Sequence, residues 1–182
     1  MTAIREIEQT KQWLAQVIIG LNFCPFAKKE FVNETIYYHV SNKEQLKSAL
    51  VELLAQCYYL RDNTEIETSL LIYRQGFRDF NRFLDLIDYG NETIIDYGFE
   101  GIFQIATFHP EYCFADADYD DASNFTNRSP YPTLHLIREK SMERVLSVYK
   151  NPEAILDNNI ALAGKKGADY FKALLNKIKN SP

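Results

Sequence analysis

An alternation of strand-like and helix-like segments up to Phe108 is the feature that most constrains the fold. Three segments are rich in β-branched and aromatic residues, which favour strands: Thr35 to Val40, Thr68 to Tyr73 and Gly101 to Phe108. Between them lie two stretches with apolar residues at helical spacing. The order β-α-β-α-β predicts parallel strands that are joined by right-handed crossover helices.

Further segments extend this pattern at both ends. Apolar residues from Ile4 to Leu21 predict a first helix that ends before Pro25, because proline disfavours helix at the preceding residue. Leu134 to Arg138 predicts a fourth strand, and the last of several helices is expected from about Ala168 to Ile178. The segment Gly101 to Phe108 lacks clean alternation, which suits a central strand covered on both faces.

The length of 182 residues lies in the range of roughly 100 to 200 residues that is typical of one domain. Neither an internal repeat nor a Pro/Gly/Ser-rich linker marks a boundary. The sequence therefore predicts a single compact domain over residues 1–182 with an α/β (or α+β) fold. Its sheet is expected to have about four strands, mostly parallel, with helices covering it.

Charge and apolar patterning restrict the partners and the compartment. Basic residues number 20 and acidic residues 25, which gives a formal net charge of -5 that repels a phosphate backbone. No apolar run approaches the roughly 20 residues of a membrane span, and charged residues occupy the positions where a signal peptide would be apolar. Three widely spaced cysteines are typical of reduced thiols. We therefore expect a cytoplasmic protein with no nucleic-acid or membrane partner.

The longest predicted loop, Pro110 to Pro132, is the main candidate for a functional site. Aperiodic loops above about 12 to 15 residues tend to be functional or disordered, and the aromatic side chains of this loop argue against disorder. It follows His109, which ends a strand at the edge where parallel sheets gather their ligand-binding loops. His109 is therefore a candidate general acid or base, although histidines in such positions are often structural.

Carboxylates in this loop raise the question of a metal site. Their density suggests a divalent ion, and a metal-dependent hydrolase that uses His109, Glu111 and Asp121 is one alternative. A solvated acidic loop is favoured over a metal site, and no metal ligand is assigned. The carboxylates are Glu111, Asp116, Asp118, Asp120 and Asp121.

Arg128 is a candidate anion-binding residue. Its planar guanidinium matches a carboxylate or phosphate group, and amide and hydroxyl side chains flank it. The alternative is that Arg128 neutralises Asp120 or Asp121 and only fixes the loop. The residues assigned to substrate binding are Asn124, Asn127, Arg128, Ser129 and Tyr131.

Cys24 precedes a proline, as the reactive cysteine does in glutaredoxin-like and glutathione-transferase proteins, where the cysteine begins a helix. Here the cysteine is predicted to follow a helix, and no second cysteine stands two residues beyond Pro25, so redox chemistry is not favoured. Cys24 is instead a candidate nucleophile with His109 or His135 as its base.

Three motifs lie in these same regions: Gly20 to Ala27, Gly101 to Phe114, and Ser123 to Leu136. Through them the chain resembles, over nearly its whole length, the bacterial and plant family known as domain of unknown function 1415. The resemblance implies that the Cys24 turn, the His109 strand end and the Arg128 loop belong to one family pattern. It implies no activity.

The residues favour an enzyme, a hydrolase or transferase, that acts on a small anionic molecule. His109 or His135 would act as general acid and base, with Asp121 orienting the histidine. Cys24 would be the nucleophile, and Arg128 would hold the substrate. The alternatives are the metal-dependent hydrolase and a non-catalytic module that binds a ligand or a protein. No cofactor and no oligomeric state are assigned.

Overall fold

Four strands form one mixed sheet in the computed structural model, which describes residues 3–181. β1 pairs with β2 in parallel, whereas β4 is antiparallel to both of its neighbours, β2 and β3. The predicted four-stranded α/β domain is therefore confirmed. In the spatial order β1-β2-β4-β3, the strands are β1 (Ile36–Ser41), β2 (Thr68–Tyr73), β4 (Thr133–Arg138) and β3 (Phe103–Phe108).

The prediction of a mostly parallel sheet is wrong. β1, β2 and β3 do run in the same direction, as crossover connections between them require. β4 returns after the long loop and inserts between β2 and β3, so most of the strand pairing is antiparallel. The alternation of strand and helix segments determines the direction of the first three strands but not the position of a strand inserted between two of them.

The strand that was predicted to be central lies at an edge. β3 pairs only with β4 among the described residues and exposes Gln104, whereas all six residues of β2 are buried. β3 is nevertheless apolar on both sides of the sheet, because Ile105 packs in one core cluster and Phe108 in the other. Its composition therefore resembles that of a central strand.

Seven α-helices are described, and they cover the two faces of the sheet. α3 and α4 pack on the face that carries Leu71 and Leu134, while α1, α6 and α7 help to cover the face that carries Leu70 and Ile72. None of the helices between residues 3 and 181 combines the length and the apolar character that crossing a membrane requires. The helices are α1 (Ile4–Trp13), α2 (Ala27–Val32), α3 (Leu46–Asp62), α4 (Phe80–Asp96), α5 (Glu139–Val148), α6 (Ala154–Lys166) and α7 (Ala168–Lys179).

The N-terminal helix changes its winding before it ends. α1 continues as a π-helix, Leu14–Ile19, so the expected end before Pro25 is confirmed. The chain then turns through Cys24 and enters α2 at Ala27, a helix that the apolar pattern did not predict. Cys24 therefore lies between two helices, not only after one, which corrects the expectation drawn from the sequence.

Candidate functional site

A cavity of about 200 Å³ lies on the face of the sheet that is opposite to α3 and α4. His135 on β4 is in register with Leu70 on β2 and with Ala106 on β3, and all three line the cavity. Neighbouring positions of paired strands project to the same side, so these residues form its floor. We call this space the sheet-face cavity.

The walls of the sheet-face cavity are the π-helix, the turn at Cys24 and α5. No residue of α5 is buried. Tyr149, which follows this helix, meets the Phe26 ring edge to face, with the ring centroids 5.5 Å apart. The lining is predominantly apolar, so burial of apolar surface would supply most of the affinity for a ligand. The main wall residues are Leu14, Ile18, Cys24, Phe26, Met142 and Val145.

His135 has one ring nitrogen bonded within the protein and one that faces no donor. Its Nε2 lies 2.6 Å from the Thr68 hydroxyl, which lies 2.5 Å from the carbonyl oxygen of Leu136. Because that carbonyl can only accept, the hydroxyl donates its proton there and accepts from His135 Nε2–H. The lone pair of the ring is then on Nδ1, for which the described residues provide no hydrogen-bond donor.

The imidazole of His135 is neutral at physiological pH. Burial in apolar surroundings lowers its pKa to about 4, because the charged form loses hydration without gaining a counter-charge. The ring therefore presents a hydrogen-bond acceptor, not a cation, to the cavity.

The Cys24 thiol lines the same cavity and is also neutral. Burial raises the pKa of the thiol, and hydrogen bonds with the backbone at Phe26 and Ala27 oppose this shift only in part. The sheet-face cavity thus brings together two of the predicted catalytic residues, Cys24 and His135, in their uncharged forms.

His109 does not line this cavity and has both ring nitrogens bonded to the main chain. Its Nε2 lies 2.9 Å from the carbonyl oxygen of Phe77, and its Nδ1 accepts from the backbone N–H of Glu111 at 3.0 Å. The ring is fully buried, and the Phe80 and Phe83 ring centroids each lie 5.0 Å from it. Burial lowers the pKa of His109, so the ring is a neutral link between two segments of backbone.

Arg128 is buried and donates to main-chain carbonyls. Its Nε lies 2.9 Å from the Tyr112 oxygen, and one terminal nitrogen lies 2.7 Å from the Tyr119 oxygen. The guanidinium also stacks 4.5 Å from the Tyr119 ring centroid and 4.6 Å from that of Phe125. The carbonyl of Arg128 accepts from Trp13 Nε1 at 3.0 Å. The Arg128 side chain therefore joins two earlier parts of the long loop to its end.

The remaining residues assigned to substrate binding are bonded within the protein. Asn124 is fully buried: its Oδ1 accepts from the Phe114 N–H, and its Nδ2 donates to the Asp118 and Tyr119 carbonyls. These contacts close the loop around the Asn124 amide. The others pair as Asn127 Nδ2 with Thr107 O, Ser129 Oγ with Tyr131 O, and Tyr131 hydroxyl with Gln9 Oε1.

The predicted orienting acid, Asp121, lies on the surface. It begins a 3₁₀-helix, Ala122–Thr126, by accepting from the Ser123 N–H at 2.8 Å, and this hydrogen bond lowers the pKa of its carboxyl group. Neighbouring Asp120 pairs with Lys172 at 3.0 Å. Among residues 3–181, no ion pair joins Arg128 to either aspartate.

The side chains that would bind a metal ion in the metal-dependent hydrolase make other contacts. The Glu111 carboxylate accepts from the Tyr119 hydroxyl, and His109 is bonded to the backbone as described. Within the described range 3–181, no group of three or more histidine, cysteine or carboxylate side chains is arranged to hold a metal ion.

Sequence reasoning missed two carboxylates that line the sheet-face cavity, Glu30 and Glu67. Neither belongs to one of the motifs. Glu67 immediately precedes the buried run of β2, and a charged residue beside such a run is the one signal that could have identified it. The fold brings it to the cavity next to Thr68.

Comparison with known proteins gives one family match. The family model described as "Protein of unknown function (DUF1415)" matches residues 5–173 of the 182. No curated protein and no solved structure matches the chain. The matched range contains the whole lining of the sheet-face cavity and the loop that follows His109. The chain therefore belongs to the DUF1415 family.

Proposed function

We propose that the protein binds a small molecule with an apolar body in the sheet-face cavity. The observation that carries this proposal is the cavity itself, an apolar space whose floor presents the acceptor nitrogen of His135. A few polar groups in a mostly apolar pocket are the usual composition of a ligand site. This develops the alternative of a ligand-binding module.

The size of the cavity sets the size of the ligand. An apolar protein cavity of about 150 Å³ is enough to hold a benzene molecule. At about 200 Å³, the sheet-face cavity has room for a single ring with a short substituent. One of its walls, α5, has no buried residues.

The π-helix supports the choice of this cavity. π-Helical turns are rare and occur frequently at functional sites, because the extra residue in each turn displaces side chains from the ordinary helical positions. Leu14 and Ile18, both from the π-helix, form one wall of the cavity. The unusual winding therefore shapes the proposed binding site directly.

The protonation states favour binding over thiol catalysis. The thiol pKa of Cys24 is raised above its ordinary value of 9.0, and the imidazole pKa of His135 is lowered to about 4. Proton transfer from the thiol to the imidazole is then unfavourable, so a Cys24 nucleophile with His135 as its base is not the reading that we favour. Arg128, on which an anionic substrate depends, does not line the cavity.

A titration with benzyl alcohol, followed by NMR of the backbone amides, tests this proposal. We expect shifts at Leu70, Ala106 and Cys24. Ala106→Leu extends a side chain into the floor and should weaken binding by about tenfold or more, since it occupies ligand volume. Ala161→Leu, on the exposed side of α6, makes the same chemical change away from the cavity and should leave binding unchanged. Shifts confined to other residues would reject the proposal.

A further inference from the structure

The polar groups of the sheet-face cavity are mainly acceptors. Glu30 and Glu67 both contribute to its lining, and His135 presents the lone pair of Nδ1. The hydroxyl proton of Thr68 is donated to the main chain. No lysine or arginine lines the cavity within the described residues 3–181. A ligand that matches this lining has to supply donors.

The two carboxylates differ in how they are bonded. Glu30 Oε2 accepts from the Thr35 hydroxyl at 2.6 Å, and its Oε1 lies 3.3 Å from the ammonium group of Lys29. Glu67 Oε1 is buried and has no hydrogen-bond partner among residues 3–181. A buried charged oxygen without a donor is costly, so Glu67 is the carboxylate with unused bonding capacity.

Among the described residues, the other groups that line the cavity do not compensate this charge. His135 is neutral because burial lowers its pKa to about 4, so the imidazole cannot act as a counter-ion at physiological pH. The Cys24 thiol is only a weak donor. The charge of Glu67 therefore makes the cavity suited to a cation.

We propose that the ligand of the sheet-face cavity carries a protonated amine, which binds Glu67 while its apolar body fills the cavity. This inference rests on the proposed function, because it names the chemical class of the molecule that occupies the same site. An ammonium group has three donors and no acceptor, so it matches the Glu67 carboxylate in a lining whose other polar groups are mainly acceptors. A carboxylate on the ligand would instead face Glu67 as a like charge.

Three ring compounds of similar size test the inference in the wild-type chain: benzylamine, benzyl alcohol and benzoate. We expect benzylamine to bind about tenfold more tightly than benzyl alcohol, as a charge-assisted hydrogen bond would give. Benzoate should bind least tightly of the three. Affinities are measured by NMR titration at pH 7, where the amine is protonated.

Glu67→Gln keeps the shape of the side chain and removes its charge. We expect the variant to lose the preference for benzylamine, with about tenfold weaker binding of the amine and little change for benzyl alcohol. Glu65→Gln makes the same charge change at an exposed neighbouring position and should retain the preference. If Glu67→Gln does not fold, Glu67→Asp, which keeps the charge but withdraws it, should show a reduced preference.

The outcomes separate the two proposals. Binding of benzyl alcohol and benzylamine with equal affinity, unchanged by Glu67→Gln, would overturn the amine inference and leave the proposed function standing. Tighter binding of benzoate would overturn the inference as well. Absence of shifts at the cavity residues with both compounds would reject the proposed function itself.

Discussion

The loop that follows His109 and the sheet-face cavity differ in how their polar groups are bonded. In the loop, buried Arg128 and Asn124 donate to main-chain carbonyls, and His109 bonds the backbone through both ring nitrogens. In the cavity, Glu67 keeps an oxygen without a partner, and His135 keeps a lone pair. A segment rich in polar residues can therefore satisfy its own hydrogen-bonding groups. A few polar groups in apolar surroundings, in contrast, keep unused hydrogen-bonding capacity.

The largest expected effect tests the closed network at Arg128. Arg128→Met should lower the free energy of unfolding by roughly 4 kcal/mol, because it leaves the Tyr112 and Tyr119 carbonyls buried without their charged donor. Urea unfolding measures the change. Lys172→Met removes the exposed contact with Asp120 and should have little effect on stability. A stable Arg128→Met protein that fails to bind an anionic ligand would restore the substrate-binding role.

The pH dependence of the stability tests whether His135 lies in an apolar environment. The folded pKa of about 4 lies below the unfolded value of about 6.5, so the unfolded chain takes up a proton first as the pH falls. The stability should decrease between pH 6.5 and pH 4, by about 3 kcal/mol from this group. Urea unfolding of the wild type and of His135→Gln, compared across this range, isolates the contribution. Identical pH profiles would show that the imidazole is not in an apolar environment.

His109 is the fully buried histidine at the start of the long loop. His109→Leu should lower the free energy of unfolding by about 2 kcal/mol, since the Phe77 carbonyl and the Glu111 N–H lose their partner. The affinity for benzyl alcohol should remain that of the wild type, as measured by NMR under conditions where the variant is folded. Loss of binding with unchanged stability would indicate that the ligand-binding site lies at the loop that follows His109.

The smallest effect concerns Cys24. Because burial raises the thiol pKa, iodoacetamide at pH 7.5 should modify Cys24 more slowly in the native protein than in urea. Bound benzyl alcohol should slow the reaction further, because the thiol lines the cavity. Mass spectrometry of the wild type against Cys24→Ser identifies the modified residue. Rapid modification in the native state would indicate an activated thiolate.

Local patterns in the sequence were sufficient to locate the four strands, but they did not predict the order of the strands in the sheet. The composition of the segments identifies β1 to β4, yet the insertion of β4 depends on which strands pair, and pairing leaves no mark on composition. The same reasoning brought Cys24 and His135 together as a possible pair, and they do line one cavity.

The loop shows why the rest of the candidate site could not be derived. The partners of Arg128 and Asn124 are carbonyl groups, which every residue carries, so no spacing of side chains identifies them. A cavity is likewise space that no side chain fills, and it depends on how α5 and the π-helix pack across the sheet. Glu67 is a candidate ligand-binding residue only because it lines that cavity.

The insertion of β4 also has a consequence for how the chain folds. β3 has a hydrogen-bonding neighbour only in β4 within the described part of the protein, and β4 joins β2 through pairs as distant in sequence as Thr68 and Ile137. Such non-local pairing slows folding. Until β4 has been synthesised, the nascent chain exposes unpaired apolar strands, so this interval is when self-association competes most with folding.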